Sequence, residues 1–266
     1  MISLVQLLKE VQSKPKAIIM AGGASVGKST VLTSLKPLLK DFVNLNADNY
    51  VEDKDSPMYG NLSAASSQIR KKDLPNAVKN QQNLIYDTTA SNLSTLQPVL
   101  NELNDNGYEV MMIMVYAHPI VSFLRNYKRE RKVPAVGVLG TWVNVYNLLG
   151  EYKRIFGDNF IITTIPSLTD EETKYVEEFN QALVQGNLKQ YFEDLFSTGQ
   201  FQSSFRKDDS NLSPEELSKR EKDRAKTKIA LEKNIDKIAD TYDDIQHNLN
   251  IVNIEELPGK VKKFIK

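Results

Sequence analysis

Residues 22 to 29 read GGASVGKS and fit the spacing G-x-x-x-x-G-K-[ST], with Gly22 first, Gly27 sixth, and Lys28 and Ser29 closing it. Glycines at those places let the backbone curl so that successive N–H groups of Gly22, Gly23, Ala24, Ser25, Val26, Gly27 and Thr30 can point at a phosphate. At that spacing Lys28 reaches the β- and γ-phosphates of a bound nucleotide, and the Ser29 hydroxyl is a ligand for Mg²⁺. The chemistry expected is therefore that of ATP with its magnesium ion. An apolar stretch, AIIMA, runs into the loop and a helical pattern leaves it, the context this spacing needs to work as a phosphate cradle.

Three further groups follow in chain order. Asp48, in NLNADNYVE, falls just past a second apolar run, where a carboxylate faces the γ-phosphate and can take a proton from an acceptor hydroxyl. The same place also suits an aspartate that caps the next turn. Asp87 ends a third run, LIYD, and can hold Mg²⁺ through water or orient the acceptor, with Thr89 beside it. The segment FLRNYKRERKVP carries Arg125, Lys128, Arg129, Arg131 and Lys132. Such a run is either a solvated helix face or a lid whose arginines grip the transferring phosphoryl group, and its place after a fourth run favours the lid. His118, followed by proline, reads as a strand exit, and Trp142 with Val145, Tyr146 and Leu149 as a core helix face.

The elements that must position these groups alternate. Apolar runs stand at 17–21, 42–46, 83–87, 110–116 and 160–165, and most lack polar alternation, as strands buried on both faces do. Helical patterns fill the intervals at 28–39, at 63–81 with Pro75 breaking it, at 94–104, 119–131 and 138–156. The expectation is an α/β fold of three layers, a mainly parallel five-stranded sheet with helices on both sides and ligands at the carboxyl ends of the strands. Two more helices follow to Phe196, the first opened by Thr169 as its cap. Residues 1–196 form the catalytic domain in this reading, 197–211 a linker or mobile loop, and 212–266 a helical extension. In that extension a long helix starts at Ser213 and Pro214, and Leu231, Ile235, Ile238, Tyr242, Ile245 and Leu249 share one seam. The seam either docks on the core or serves self-association through the 213–249 helix.

Composition narrows the partners. Lys plus Arg equals Asp plus Glu at 34 each, so no global field draws the chain to nucleic acid or a membrane, and an anionic ligand needs a local site. There is no cysteine, which excludes disulfides and thiolate chemistry, and the two histidines, His118 and His247, lie far apart. The first residues read as a short amphipathic helix with Ser3 as cap and Leu4, Leu7, Leu8 and Val11 on one face, without the features of a targeting segment. The chain reads as cytoplasmic, in the host's cytoplasm if phage-encoded.

Taken together these residues resemble the P-loop kinases that include the kinase domain of phage polynucleotide kinase and the zeta-toxin-like sugar-nucleotide kinases. GGASVGKST is similar to their Walker A loop, NADNY to their D-x-[FY] element and YDTT to their third-strand acid; RNYKRERKVP with VLGTWVNVY looks closest to the polynucleotide kinase lid. The likeness covers about residues 15 to 165. It implies a P-loop NTPase sheet of the adenylate-kinase order and transfer of the ATP γ-phosphate to a hydroxyl. It further implies Lys28 and Ser29 on ATP and Mg²⁺, Asp48 as acceptor base, Asp87 on acceptor or metal, and Arg129, then Arg125, as lid arginines. The polynucleotide kinase element continues D-D-Y-R, whereas here Tyr50 is followed by Val51 and Glu52. That departure and the zero net charge speak against a 3′-phosphorylated nucleic acid. The acceptor is then a nucleotide-like or 5′-hydroxyl nucleic-acid molecule, or alternatively a sugar nucleotide. A rival of another class is a nucleotide-gated assembly protein without phosphoryl transfer.

Overall fold

The computed structural model describes residues 14–129, 133–165, 167–197 and 214–266. Six strands form one sheet in the order β2-β3-β1-β4-β5-β6, every neighbouring pair parallel. They are β1 (Lys16–Ala21), β2 (Val43–Leu45), β3 (Leu84–Asp87), β4 (Glu109–Tyr116), β5 (Phe160–Thr164) and β6 (Ile251–Asn253). The helices are α1 (Lys28–Leu35), α2 (Asp48–Val51), α3 (Leu62–Gln68), α4 (Leu74–Lys79), α5 (Leu93–Asp105), α6 (Pro119–Tyr127), α7 (Ala135–Tyr146), α8 (Leu149–Phe156), α9 (Asp170–Val184), α10 (Leu188–Ser197), α11 (Pro214–Asn248) and α12 (Leu257–Ile265). Strand side chains alternate between two cores. In β1, Ala17, Ile19 and Ala21 join α5, α7 and α9 on one face, and Ile18 and Met20 join α1 and α12 on the other. That is why β1 reads as an unbroken apolar run: both of its faces are covered.

The fold class expected from the sequence is present, with a sixth strand added. Three residues, Ile251–Asn253, pair with β5 through Ile162↔Ile251 and two further positions. So short a strand, with exposed residues at both ends, leaves almost no hydrophobic signal. Leu257, Val261 and Phe264 of α12 are buried against the α1 side of the sheet, so the end of the chain completes the second helical layer.

Two helices differ from expectation. Pro75 does not break the 63–81 segment. A π turn over Ile69–Asp73 joins α3 to α4, the Leu74 N–H reaching back to the Ile69 carbonyl, and this shift of hydrogen-bond register carries the chain past the proline. The 138–156 segment parts into α7 and α8 beside Asn147, whose side-chain oxygen accepts from Thr241 of α11 at 2.9 Å.

The seam of α11 lies within the chain. Leu231, Ile235, Ile238, Tyr242 and Ile245 are buried in the main core and Leu249 packs against it, each fully buried side chain contributing roughly 1.5–3 kcal/mol in gross transfer energy. Asn234 donates to the Val136 carbonyl at 3.2 Å, and a Cβ on Gly140 would sit 3.0 Å from the same amide nitrogen, so the absence of a side chain there permits the close approach of α11 to α7. Of the two readings of this helix, docking on the core is the one observed. Ser213, the helix at the start of the chain and the 197–211 linker, apart from Ser197 at the end of α10, lie outside the described residues. Among the described residues no helix is long and apolar enough to cross a membrane.

Candidate active site

The loop between β1 and α1 has the backbone its glycines permit. Gly22 lies at φ 142° and Gly27 at φ 99°, with Ser25 also left-handed at φ 60°. A Cβ on Gly22 would come within 2.7 Å of the Val115 carbonyl oxygen and 2.8 Å of Val26, and one on Gly27 within 2.2 Å of the Ile165 side chain. Helix α1 starts with no side-chain cap, so its first N–H groups and its positive end are presented to the loop, the arrangement that binds phosphate. Helix α7 backs the loop: Thr141 Oγ1 accepts from the Ala24 N–H at 3.4 Å, and Gly23 meets the Trp142 backbone. Trp142 itself is fully buried, its indole N–H donating to the Ala117 carbonyl at 2.9 Å.

Lys28 bends back over the loop, its Nζ donating to the Gly22 carbonyl at 3.1 Å and lying 3.9 Å from Asp87 Oδ1. The Asp87 side chain is only 9% exposed. Burial pushes its carboxyl above the usual carboxylate range; the Lys28 ammonium pulls it down and the Asp48 carboxylate pushes it up again. Asn46 bridges the two acidic positions. Its Nδ2 donates to Asp87 Oδ2 at 3.2 Å, and its Oδ1 accepts the Asp48 N–H at 2.9 Å. The one sequence signal for Asn46 is local, since Asn followed two residues on by Asp at a strand exit is the pattern of an Asx turn. The structure thus brings Lys28, Asp48 and Asp87 together at the carboxyl ends of β1, β2 and β3. Ser29 and Thr30 lie exposed in the first turn of α1.

The basic segment divides. Arg129 reaches the loop, Nη1 to Ser25 Oγ at 3.5 Å. Arg125 instead pairs with Glu172 of α9, Nε to Oε1 at 2.8 Å and Nη2 to Oε2 at 3.3 Å, and Lys128 pairs with Glu171 at 2.6 Å. Arg131 and Lys132 lie outside the described residues. On the α2 side, the Tyr50 hydroxyl donates to Asp73 Oδ2 at 2.7 Å and Gln68 donates to Oδ1 at 3.2 Å. Beside them is a cavity of about 350 Å³ with Asn46, Asn49, Tyr50, Asp73, Asn76 and Gln82 in its wall and no Lys or Arg.

His118 is a strand exit, as expected. Its Nδ1 caps α6 by accepting the Ile120 N–H at 3.3 Å, while Nε2 is buried without a hydrogen bond and Phe179 and Tyr242 meet the ring edge-on. Burial pushes its pKa down to about 3, against a weaker upward pull from the Asn180 amide.

The family model described as zeta toxin matches residues 4–140, which run from before β1 into α7 and include the loop, Asp48, Asp87, Arg125 and Arg129. A sequence search of curated proteins gives no match. Among solved structures, the chain is similar to one from the PezAT chromosomal toxin-antitoxin system of Streptococcus pneumoniae, at 14% identity and a TM-score of 0.47 over 68% of this chain and 93% of that one. It is similar to a gluconokinase from Sinorhizobium meliloti 1021, at 13% identity and a TM-score of 0.40 over 68% and 99% of the two chains. It is also similar to shikimate kinase from Acinetobacter baumannii in complex with shikimate, at 16% identity and a TM-score of 0.36 over 67% and 98%.

Proposed function

The chain belongs to the zeta toxin family, and on that premise we propose that it is an ATP- and Mg²⁺-dependent kinase that phosphorylates a hydroxyl of a nucleotide-like acceptor, a sugar nucleotide above all. The observation that carries the reading is the pairing of a phosphate-shaped loop with two acidic positions, Asp48 and Asp87, held at the same strand ends by Asn46. A site that only binds nucleotide has no need of a second acid, whereas phosphoryl transfer uses one to take the acceptor's proton.

The residues divide the work as follows. Loop N–H groups and Lys28 hold the phosphates. As the acceptor oxygen bonds to the γ-phosphorus and the bond to the β,γ-bridging oxygen breaks, Asp48 takes the acceptor's proton and ADP leaves. Arg129, already at the loop, faces the charge spread over the transferring group, and Arg125 is the second arginine of the lid. The Ser29 hydroxyl and the Asp87 carboxylate fit a hard cation, both being oxygen donors, and Lys28 favours the ionised form of Asp87. Mg²⁺ held by these two oxygens would supply positive charge against the phosphates. Among the described residues no three His, Cys, Asp or Glu side chains cluster as a metal cage.

Nucleic acid is the less supported acceptor, since Tyr50 is followed by Val51 and Glu52 where the polynucleotide kinase element has arginine, and the net charge is zero. Burial of the α11 seam in the chain's own core supports docking of that helix over its use as an assembly arm. The test is to incubate the protein with γ-labelled ATP and, separately, pools of sugar nucleotides, nucleosides and 5′-hydroxyl oligonucleotides. Label in the sugar-nucleotide pool is expected. Label in the oligonucleotide pool alone would overturn the acceptor, and label in none would overturn the kinase.

A further inference from the structure

Glu172 lies beyond the segment matched by the family model, in the first turn of α9, and is 4% exposed. Its carboxylate meets two demands. It closes the capping box of α9, with Oε2 accepting the Thr169 N–H at 3.0 Å while Thr169 Oγ1 accepts the Glu172 N–H at 3.1 Å. It also grips Arg125 through Nε and Nη2. Burial raises the carboxyl's pKa while the Arg125 fork and the Thr169 N–H lower it, with a net shift downward, so the pair stays ionised.

The grip leaves one guanidinium nitrogen, Nη1, which has no partner among the described residues. Nη1 lies 3.9 Å from where a Cβ on Gly27 would be, alongside the phosphate loop. A planar fork held by two of its nitrogens cannot rotate, so the direction of the third is fixed. Arg129, by contrast, touches the loop through one bond of 3.5 Å. We propose that Glu172 is a positioning residue that fixes Arg125 with its remaining nitrogen aimed at the nucleotide phosphates, so that Arg125 is a standing clamp and Arg129 the adjustable arginine of the same lid. This rests on the kinase reading for its transfer readout and on the loop geometry alone for its binding readout. The capping role by itself explains neither the bidentate grip nor the direction of Nη1.

The chemistry of the capping box separates the two roles. Glutamine serves at that place as well as glutamate does. It loses the charge that the Arg125 fork requires. Glu172→Gln should lower the transfer rate at least tenfold and weaken a fluorescent ATP analogue at least threefold. In an Arg125→Ala background the same change should alter both by less than twofold, because its target is gone. Thr169→Ala, which removes the cap and keeps the pair, should lower the melting temperature yet leave rate and affinity within twofold. Should Glu172→Gln melt below the assay temperature, Glu172→Asp, with the charge kept and the reach shortened by a methylene, takes its place in the cycle. Losses that add between Glu172 and Arg125, no loss in either readout, or equal losses from Thr169→Ala would overturn the proposal. If the wild-type protein transfers no phosphate, the kinase reading falls and the cycle is judged on affinity alone.

Discussion

Replacing Gly22 by alanine tests whether the loop's shape is imposed by its surroundings. The new methyl would face the Val115 carbonyl oxygen at 2.7 Å and Val26 at 2.8 Å. Neither yields easily. Val115 is fully buried in the central strand β4, its carbonyl fixed by the Tyr146 hydroxyl at 2.9 Å, and Val26 is itself buried in the loop. Overpacking of this kind costs about 1–3 kcal/mol. Holding alanine at φ 142° adds strain on the order of 1–3 kcal/mol. The sum, about 2–6 kcal/mol, is a large share of the roughly 5–15 kcal/mol that stabilises a domain. Gly60 is the control, since it also has positive φ, 70°, but nothing lies within 4 Å of its Cβ position. Gly60→Ala should cost about 1 kcal/mol. Urea denaturation, comparing midpoints at a common slope, measures both. At 25 °C the Gly22→Ala protein that remains folded should also bind ATP at least tenfold more weakly, because relief of the clash must displace the loop. Equal midpoint shifts for the two variants, or a Gly22→Ala shift under 1 kcal/mol, would refute the reasoning.

Lys28→Ala should weaken ATP binding, while Asp48→Asn should leave binding intact and lower transfer by about 10²–10⁴, as seen by separate equilibrium binding and single-turnover measurements. Asn46→Ala removes a donor to Asp87, so the acid limb of the pH-rate profile should move to higher pH and the maximal rate fall about tenfold, near 1.4 kcal/mol. His118 contributes an acid sensitivity. Its folded-state pKa, about 3, lies below the ordinary 6.5, so the unfolded chain takes up a proton first and stability falls as pH drops through the window from about 6.5 to about 3. The loss is about 2 kcal/mol at pH 5, and His118→Asn, which can still cap α6, should flatten that slope in denaturation curves taken at pH 7 and pH 5.

What could be read in the sequence was whatever had strong local signal. The inner strands show as apolar runs because both of their faces are covered, and the loop shows because glycine spacing is a direct record of backbone shape. What was hidden depends on contacts between distant segments. β6 is three residues long and takes its identity from β5 beside it. Asn46 matters only because Asp87, 41 residues on, lies within reach of its amide. The basic run looked like one lid, but 43 residues separate Lys128 from Glu171 and 47 separate Arg125 from Glu172, and no local pattern announces those pairs.

Residues 212–266, expected from the sequence as a helical extension, are likewise joined to the site by contacts that no local pattern announces. The phosphate loop is held from behind by α7, through Thr141 on the Ala24 N–H and the Trp142 backbone against Gly23. Helix α7 in turn has α11 packed along it, with Asn234 against Gly140 one residue before Thr141. The path from the seam of α11 to the loop is therefore two contacts long. A seam facing another chain would have left α7 half covered and the loop without its backing. Removing residues 214–266 should then do more than shorten the protein: it uncovers α7, strips β6 from the sheet edge and takes α12 from the face beneath α1. A truncated chain that kept full ATP affinity and wild-type denaturation midpoints would show that the loop stands without this support.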